Sequence, residues 1–127
     1  MNFLRYNGSL QKGAKTVALN GQEFIVPEQY EEAYGDLVFG VRPEHISFTD
    51  DSAYRGLVLA AEYLGTTQII TLDTPNGNVK ARIDASQPVT VGEKVGLAFN
   101  PATIILFDEK SGGAIGSELN SGVLGNG

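Results

Sequence analysis

The side chains able to do chemistry are few, and their spacing limits what they could do. His45 is the single histidine and there is no cysteine, which excludes a thiolate nucleophile, a disulfide framework and a His- or Cys-rich metal site within one chain. The carboxylate pairs Asp50/Asp51 and Asp108/Glu109 are adjacent in sequence. Neighbours on a strand point to opposite faces, so neither spacing builds an acid/base dyad. No G-x-S-x-G elbow and no EF-hand loop is present. The stretch from Gly8 to Thr16 (GSLQKGAKT) comes close to the phosphate-cradling loop G-x-x-x-x-G-K-S/T. Ala14 separates its second glycine from Lys15, however, and the stretch precedes a strand instead of opening a helix. It reads as a turn. The chain is therefore expected to carry no catalytic, cofactor or metal site of its own.

The elements that would position these groups read as β almost throughout. Segments rich in β-branched and aromatic residues recur between Gly, Pro, Asn and Asp: Thr16–Leu19, Glu23–Val26, Leu37–Val41, Ile46–Phe48, Arg55–Leu64, Gln68–Asp73, Val79–Ile83, Val95–Phe99 and Thr103–Phe107. About nine short strands in one domain predict a barrel or sandwich. Asn20-Gly21 and Asn76-Gly77 are read as two-residue hairpin turns with positive φ at both positions. Pro27 to Tyr34 is read as the one short helix, started by Pro27 and stopped by Gly35.

The chain has 127 residues, 9 Lys plus Arg against 15 Asp plus Glu, and a net charge of −6. That length suits one compact domain. The acidic balance argues against nucleic acid, because a barrel that grips single strands needs a basic groove with stacking aromatics. The longest clean apolar run is Leu57 to Ala61, far short of the roughly 20 residues of a membrane-spanning helix, so no direct membrane insertion is expected. Neither a secretory signal nor a cysteine is present, and a cytoplasmic location fits both absences.

Two stretches are more specific. In Phe39-Gly40-Val41-Arg42-Pro43-Glu44-His45-Ile46 the proline forces Arg42 extended, and the chain must turn before a new strand begins at Ile46. Arg42, Glu44 and His45 are thereby grouped at a rigid corner, available for a local ion pair or for another surface. The second stretch contains Glu62-Tyr63-Leu64-Gly65, Ala81-Arg82, Gly92-Glu93-Lys94-Val95-Gly96-Leu97 and Leu106-Phe107-Asp108. Gly65 marks a turn needing an unusual backbone angle. Glu62 reads either as a surface residue or as a partner contact.

In this order and spacing the blocks resemble the C-terminal regulatory domain of the ATP-binding subunits of sugar-type ABC importers, the class serving maltooligosaccharides and glycerol-3-phosphate. The family pattern runs G-V-R-P-E-H, V-E-x-L-G, A-R, G-E-x-V-x-L and L-F-D, and the likeness spans roughly residues 1–115, including Met1-Asn2-Phe3-Leu4. Ile105 stands where the family often has histidine, and the glycine-rich stretch after Asp108 matches only loosely. The resemblance implies an OB-like β-barrel of the transport-associated type over 1–115, with residues 116–127 as a flexible glycine-rich tail. It implies a cytoplasmic location at the inner membrane, a homodimer formed through the parent ATP-binding subunit, and permease contacts made by an ATPase domain that this chain lacks. ATP and Mg would bind that missing domain, and a cytoplasmic regulator could dock. Phe107 and Asp108 then stand at a subunit contact; read from the residues alone, they are a core aromatic and a solvated carboxylate. An alternative function is a small-ligand sensor, since related barrels bind oxyanions, with Thr66, Thr67 and Lys80 as possible donors.

Overall fold

The computed structural model describes residues 1–119. Ten strands and almost no helix confirm the all-β, OB-like expectation, with one strand more than predicted. They are β1 (Asn2–Leu10), β2 (Thr16–Leu19), β3 (Gln22–Ile25), β4 (Ala33–Val41), β5 (Ile46–Phe48), β6 (Arg55–Tyr63), β7 (Thr67–Thr74), β8 (Gly77–Asp84), β9 (Lys94–Phe99) and β10 (Ile105–Asp108). One sheet has the order β1-β4-β10, a second β5-β9-β6-β7-β8, and β2-β3 forms a separate hairpin. All pairings are antiparallel.

Among the described residues no backbone ladder joins β1 to β8, so their sheets do not close into a continuous barrel. Two asparagines span that gap. Asn2 donates to the Lys80 carbonyl and accepts from the Lys80 N–H, both at 2.8 Å. Asn76 donates to the Arg5 carbonyl at 2.9 Å while accepting from the Tyr54 hydroxyl at 2.8 Å. Side-chain amides thus pair with backbone groups that a sheet edge would leave open.

Inside lie Leu4, Leu37, Phe39, Ile70, Leu72 and Leu97 together with an aromatic cluster. In that cluster Phe39 and Phe99 have ring centroids 5.2 Å apart, and Phe24 lies 5.1 Å from Phe99 and 5.3 Å from Tyr54. Tyr6 also faces inward; burial pushes its hydroxyl up to about 12, and no described residue hydrogen-bonds to it.

Several local expectations need correction. Pro27 to Tyr34 forms no helix: the Gln29 N–H donates to the Ala14 carbonyl, the Gln29 carbonyl accepts from the Gly13 N–H, and β4 begins at Ala33. Long-range backbone pairing has overridden the local helix signals. The Asn20-Gly21 turn has φ of 51° and 82°, as expected. At the other hairpin only Gly77 has positive φ, 119°. The central residues there are Pro75 and Asn76, with Thr74 paired to Gly77, which matches a type I turn with Pro at its second position and Gly at its fourth. Pro101–Thr103 is a 3-10 turn capped by Asn100, so the last strand starts at Ile105 instead of Thr103.

Packing also continues past residue 115. Ile115 and Ser117 are buried, Ser117 bridges to Gln29, and Glu31 accepts from the Gly116 N–H at 2.6 Å. Residues 120–127, the remainder of the expected tail, lie outside the described residues.

Candidate functional site

The candidate residues fall at three places. The first is the proline corner. Arg42 is extended, with φ −78° and ψ 149°, and Pro43–His45 forms a 3-10 turn closed by the His45 N–H donating to the Arg42 carbonyl at 3.0 Å. Proline's fixed φ and its effect on the preceding residue account for this shape. Glu44 is fully exposed. Its carboxyl is held below its ordinary pKa, first by a hydrogen bond from its own backbone and then by the positive field of His45, Arg42 and Arg82. The two arginines come from different elements. In the sequence Arg82 stands only as part of a motif, because its approach to the corner depends on β8 packing against the turn. His45 Nδ1 is buried without a hydrogen-bond partner among the described residues.

The second place is the β6–β7 hairpin. Gly65 has φ 85°, and a Cβ added there would meet nothing within 4 Å, so backbone conformation and not crowding selects glycine. Glu62 pairs with Ile69, which pairs with Arg82. Directly opposed residues share a face, so Glu62 and Arg82 stand on the outer side of one cross-strand row. Arg82 thus stands beside the corner and on the same outer face as Glu62, two strands away across Ile69.

The third place is β10. Ile104 and Leu106 are buried, and strand alternation turns Ile105 and Phe107 outward. Phe107 is not a core aromatic. It meets exposed Phe3 edge-to-face at 5.8 Å, across Gly40, where a Cβ would stand 2.7 Å from Phe107 Cε2 and 3.0 Å from Met1 Sδ. Glycine at 40 leaves the room that the Phe107 ring occupies over β4. Arg5 and Glu109 flank this apolar face with an ion pair of 2.8 Å. Asp108 has a local task instead: its carboxylate accepts from the Lys110 N–H at 3.1 Å, and its backbone pairs with Gly112 and Gly113, closing the turn after β10. Phe3, Ile105 and Met1 were missed as members of this face. The alternation around Leu106 carried the signal for Ile105.

The proposed oxyanion donors do not converge. Lys80 pairs with Thr71, about four residues and roughly 13 Å along β7 from Thr67. The Thr66 and Thr67 carbonyls accept from the Ala85 and Leu64 N–H groups. Among the described residues no group of three His, Cys, Asp or Glu side chains could hold a metal ion, and no helix is long and apolar enough to cross a membrane.

Comparison with known proteins agrees with this architecture. The chain is 30% identical over 113 residues to the multiple sugar-binding transport ATP-binding protein MsmK of Streptococcus mutans, covering 84% of this chain and 30% of that protein. It is 25% identical to the uncharacterized ABC transporter ATP-binding protein YurJ of Bacillus subtilis, covering 91% of this chain and 35% of that one. The chain therefore spans about a third of the length of these curated relatives. Among solved structures, the cytoplasmic molybdate-binding protein ModG with molybdate bound superposes with a TM-score of 0.62 at 16% identity, covering 83% of this chain and 94% of that one. That likeness is one of fold. The TOBE domain family matches residues 39–107, from the core of β4 to the outward ring on β10, and the chain belongs to it.

Proposed function

We propose that this TOBE domain is the C-terminal regulatory and pairing part of the ATP-binding subunit of a carbohydrate-type ABC importer. In this reading it works in the cytoplasm at the membrane face and does no chemistry. ATP and magnesium belong to an ATPase domain elsewhere in the subunit, which also contacts the permeases. The domain holds two such subunits together and offers surfaces to other proteins of the assembly. The observation that carries the reading is the outward apolar face of β10-β4-β1, where Phe3 is 53% exposed and Met1 45%. Exposed aromatic surface rimmed by an ion pair suits protein contact. Relatives named as ATP-binding proteins supply the context.

The oxyanion-sensing alternative rests on the fold of ModG and lacks converging donors here. Titration calorimetry distinguishes the two readings. With molybdate, phosphate, glycerol-3-phosphate and maltose, the chain is expected to give no heat of micromolar binding. A saturable micromolar isotherm with molybdate would replace the contact reading with the sensor.

A further inference from the structure

We propose that a second copy of this chain adds to the free edge of β6 at Leu59–Tyr63, antiparallel about a two-fold axis at Ala61. The inference rests on the proposed pairing of two subunits and puts that pairing at the β6 edge, leaving the β10-β4-β1 face for other proteins of the assembly. β6 pairs with β9 only over Arg55–Leu57, and Val58 then bonds to Gly92 and Glu93. Past the bulge between Val58 and Ala60, β6 has β7 on one side and no described strand on the other. The Leu64 N–H points to β7, donating to the Thr67 carbonyl. Alternation sends the polar groups of Glu62 and Ala60 the same way and leaves those of Ala61 and Tyr63 aimed outward.

This open edge is apolar. Leu59 is 44% exposed, Tyr63 66% and Leu64 47%. Folded proteins usually blunt such edges with charge or proline, yet Glu62 is the one charged residue in the segment. That charge selects the register. An axis at Glu62 would oppose like charges, which is destabilising. An axis at Ala61 sets Glu62 against the second copy's Ala60 and pairs Leu59 with the second copy's Tyr63, twice by symmetry. The small side chain on the axis lets the two strands approach.

The test is a cysteine at the axis. The chain has no native cysteine, and opposed Cα atoms about 5.5 Å apart lie within disulfide reach. Ala61→Cys should oxidise to a disulfide-linked dimer, while Ser47→Cys at the exposed position of β5 should remain monomeric under the same conditions. Leu59→Lys should weaken self-association at least tenfold in sedimentation equilibrium. A dimer that neither cross-links at Ala61→Cys nor responds to Leu59→Lys would overturn the edge assignment and leave the pairing reading standing. Equal cross-linking of Ser47→Cys would also overturn the assignment. A chain that is monomeric up to millimolar concentration and does not cross-link would overturn both.

Discussion

Phe39→Ala is expected to lower folding stability by about 3–5 kcal/mol, the range for deleting a fully buried aromatic side chain. Phe39 has no solvent exposure, lies in the inner half of β4 and touches Phe24 and Phe99 across the interior. Its strand is paired on both sides, to β1 through Leu4 and to β10 through Leu106. A cavity here therefore cannot be filled by moving an edge. The loss includes the transfer energy of the ring and its contacts with neighbouring aromatics, worth about 0.5–1.5 kcal/mol per pair. Urea denaturation should show a lower midpoint with an unchanged slope. A loss below about 1 kcal/mol would mean that β4 is not the centre of the core.

Gly96→Ala is the second large effect, with a different cause. Gly96 needs no unusual φ. Its carbonyl accepts from the Thr49 N–H at 2.9 Å, and a Cβ would overlap the Thr49 carbonyl oxygen and come within 2.9 Å of that of Ser52. Both obstacles are backbone, held by the link from β5 to β6, whose end is fixed where the Leu97 N–H donates to the Tyr54 carbonyl. A flexible side chain could swing aside; these atoms cannot. The cost is expected at the upper end of the roughly 1–3 kcal/mol typical of overpacking. Thermal melts of the purified variant provide the check. An unchanged melting temperature would mean that the link through residues 49–54 does not lie against β9.

How much of this could be read beforehand depends on where each signal resides. The Asn20-Gly21 turn and the Arg42-Pro43 corner follow from backbone chemistry within a few residues, and both appear as expected. The supposed helix at Pro27 had equally good local signals. It lost because Gln29 pairs with Ala14 and Gly13 and bridges to Ser117, partners that no local window contains. β1 escaped notice because its inward residues are Leu4, Tyr6, Gly8 and Leu10, too mixed for an apolar alternation to stand out. Phe107 looks like core in the sequence because it ends an apolar run, yet the burial of Leu106 fixes its neighbour outside. The apolar run Leu57 to Ala61 lies within the strand expected at Arg55–Leu64. Only the three-dimensional arrangement reveals that β9 ends beside its first half and leaves Leu59 to Tyr63 open.

In the proposed pairing role these surfaces have separate tasks. The corner sets Glu44 near Arg82, the hairpin carries Glu62, the β6 edge offers open backbone groups, and the Phe107 face offers apolar area. None of the three requires a small ligand. Sedimentation equilibrium of the chain from micromolar to millimolar concentration, with and without molybdate, tests that most directly. A reversible monomer–dimer equilibrium that molybdate leaves unchanged is expected. A chain that stays monomeric throughout, or that associates only when molybdate is added, would contradict it.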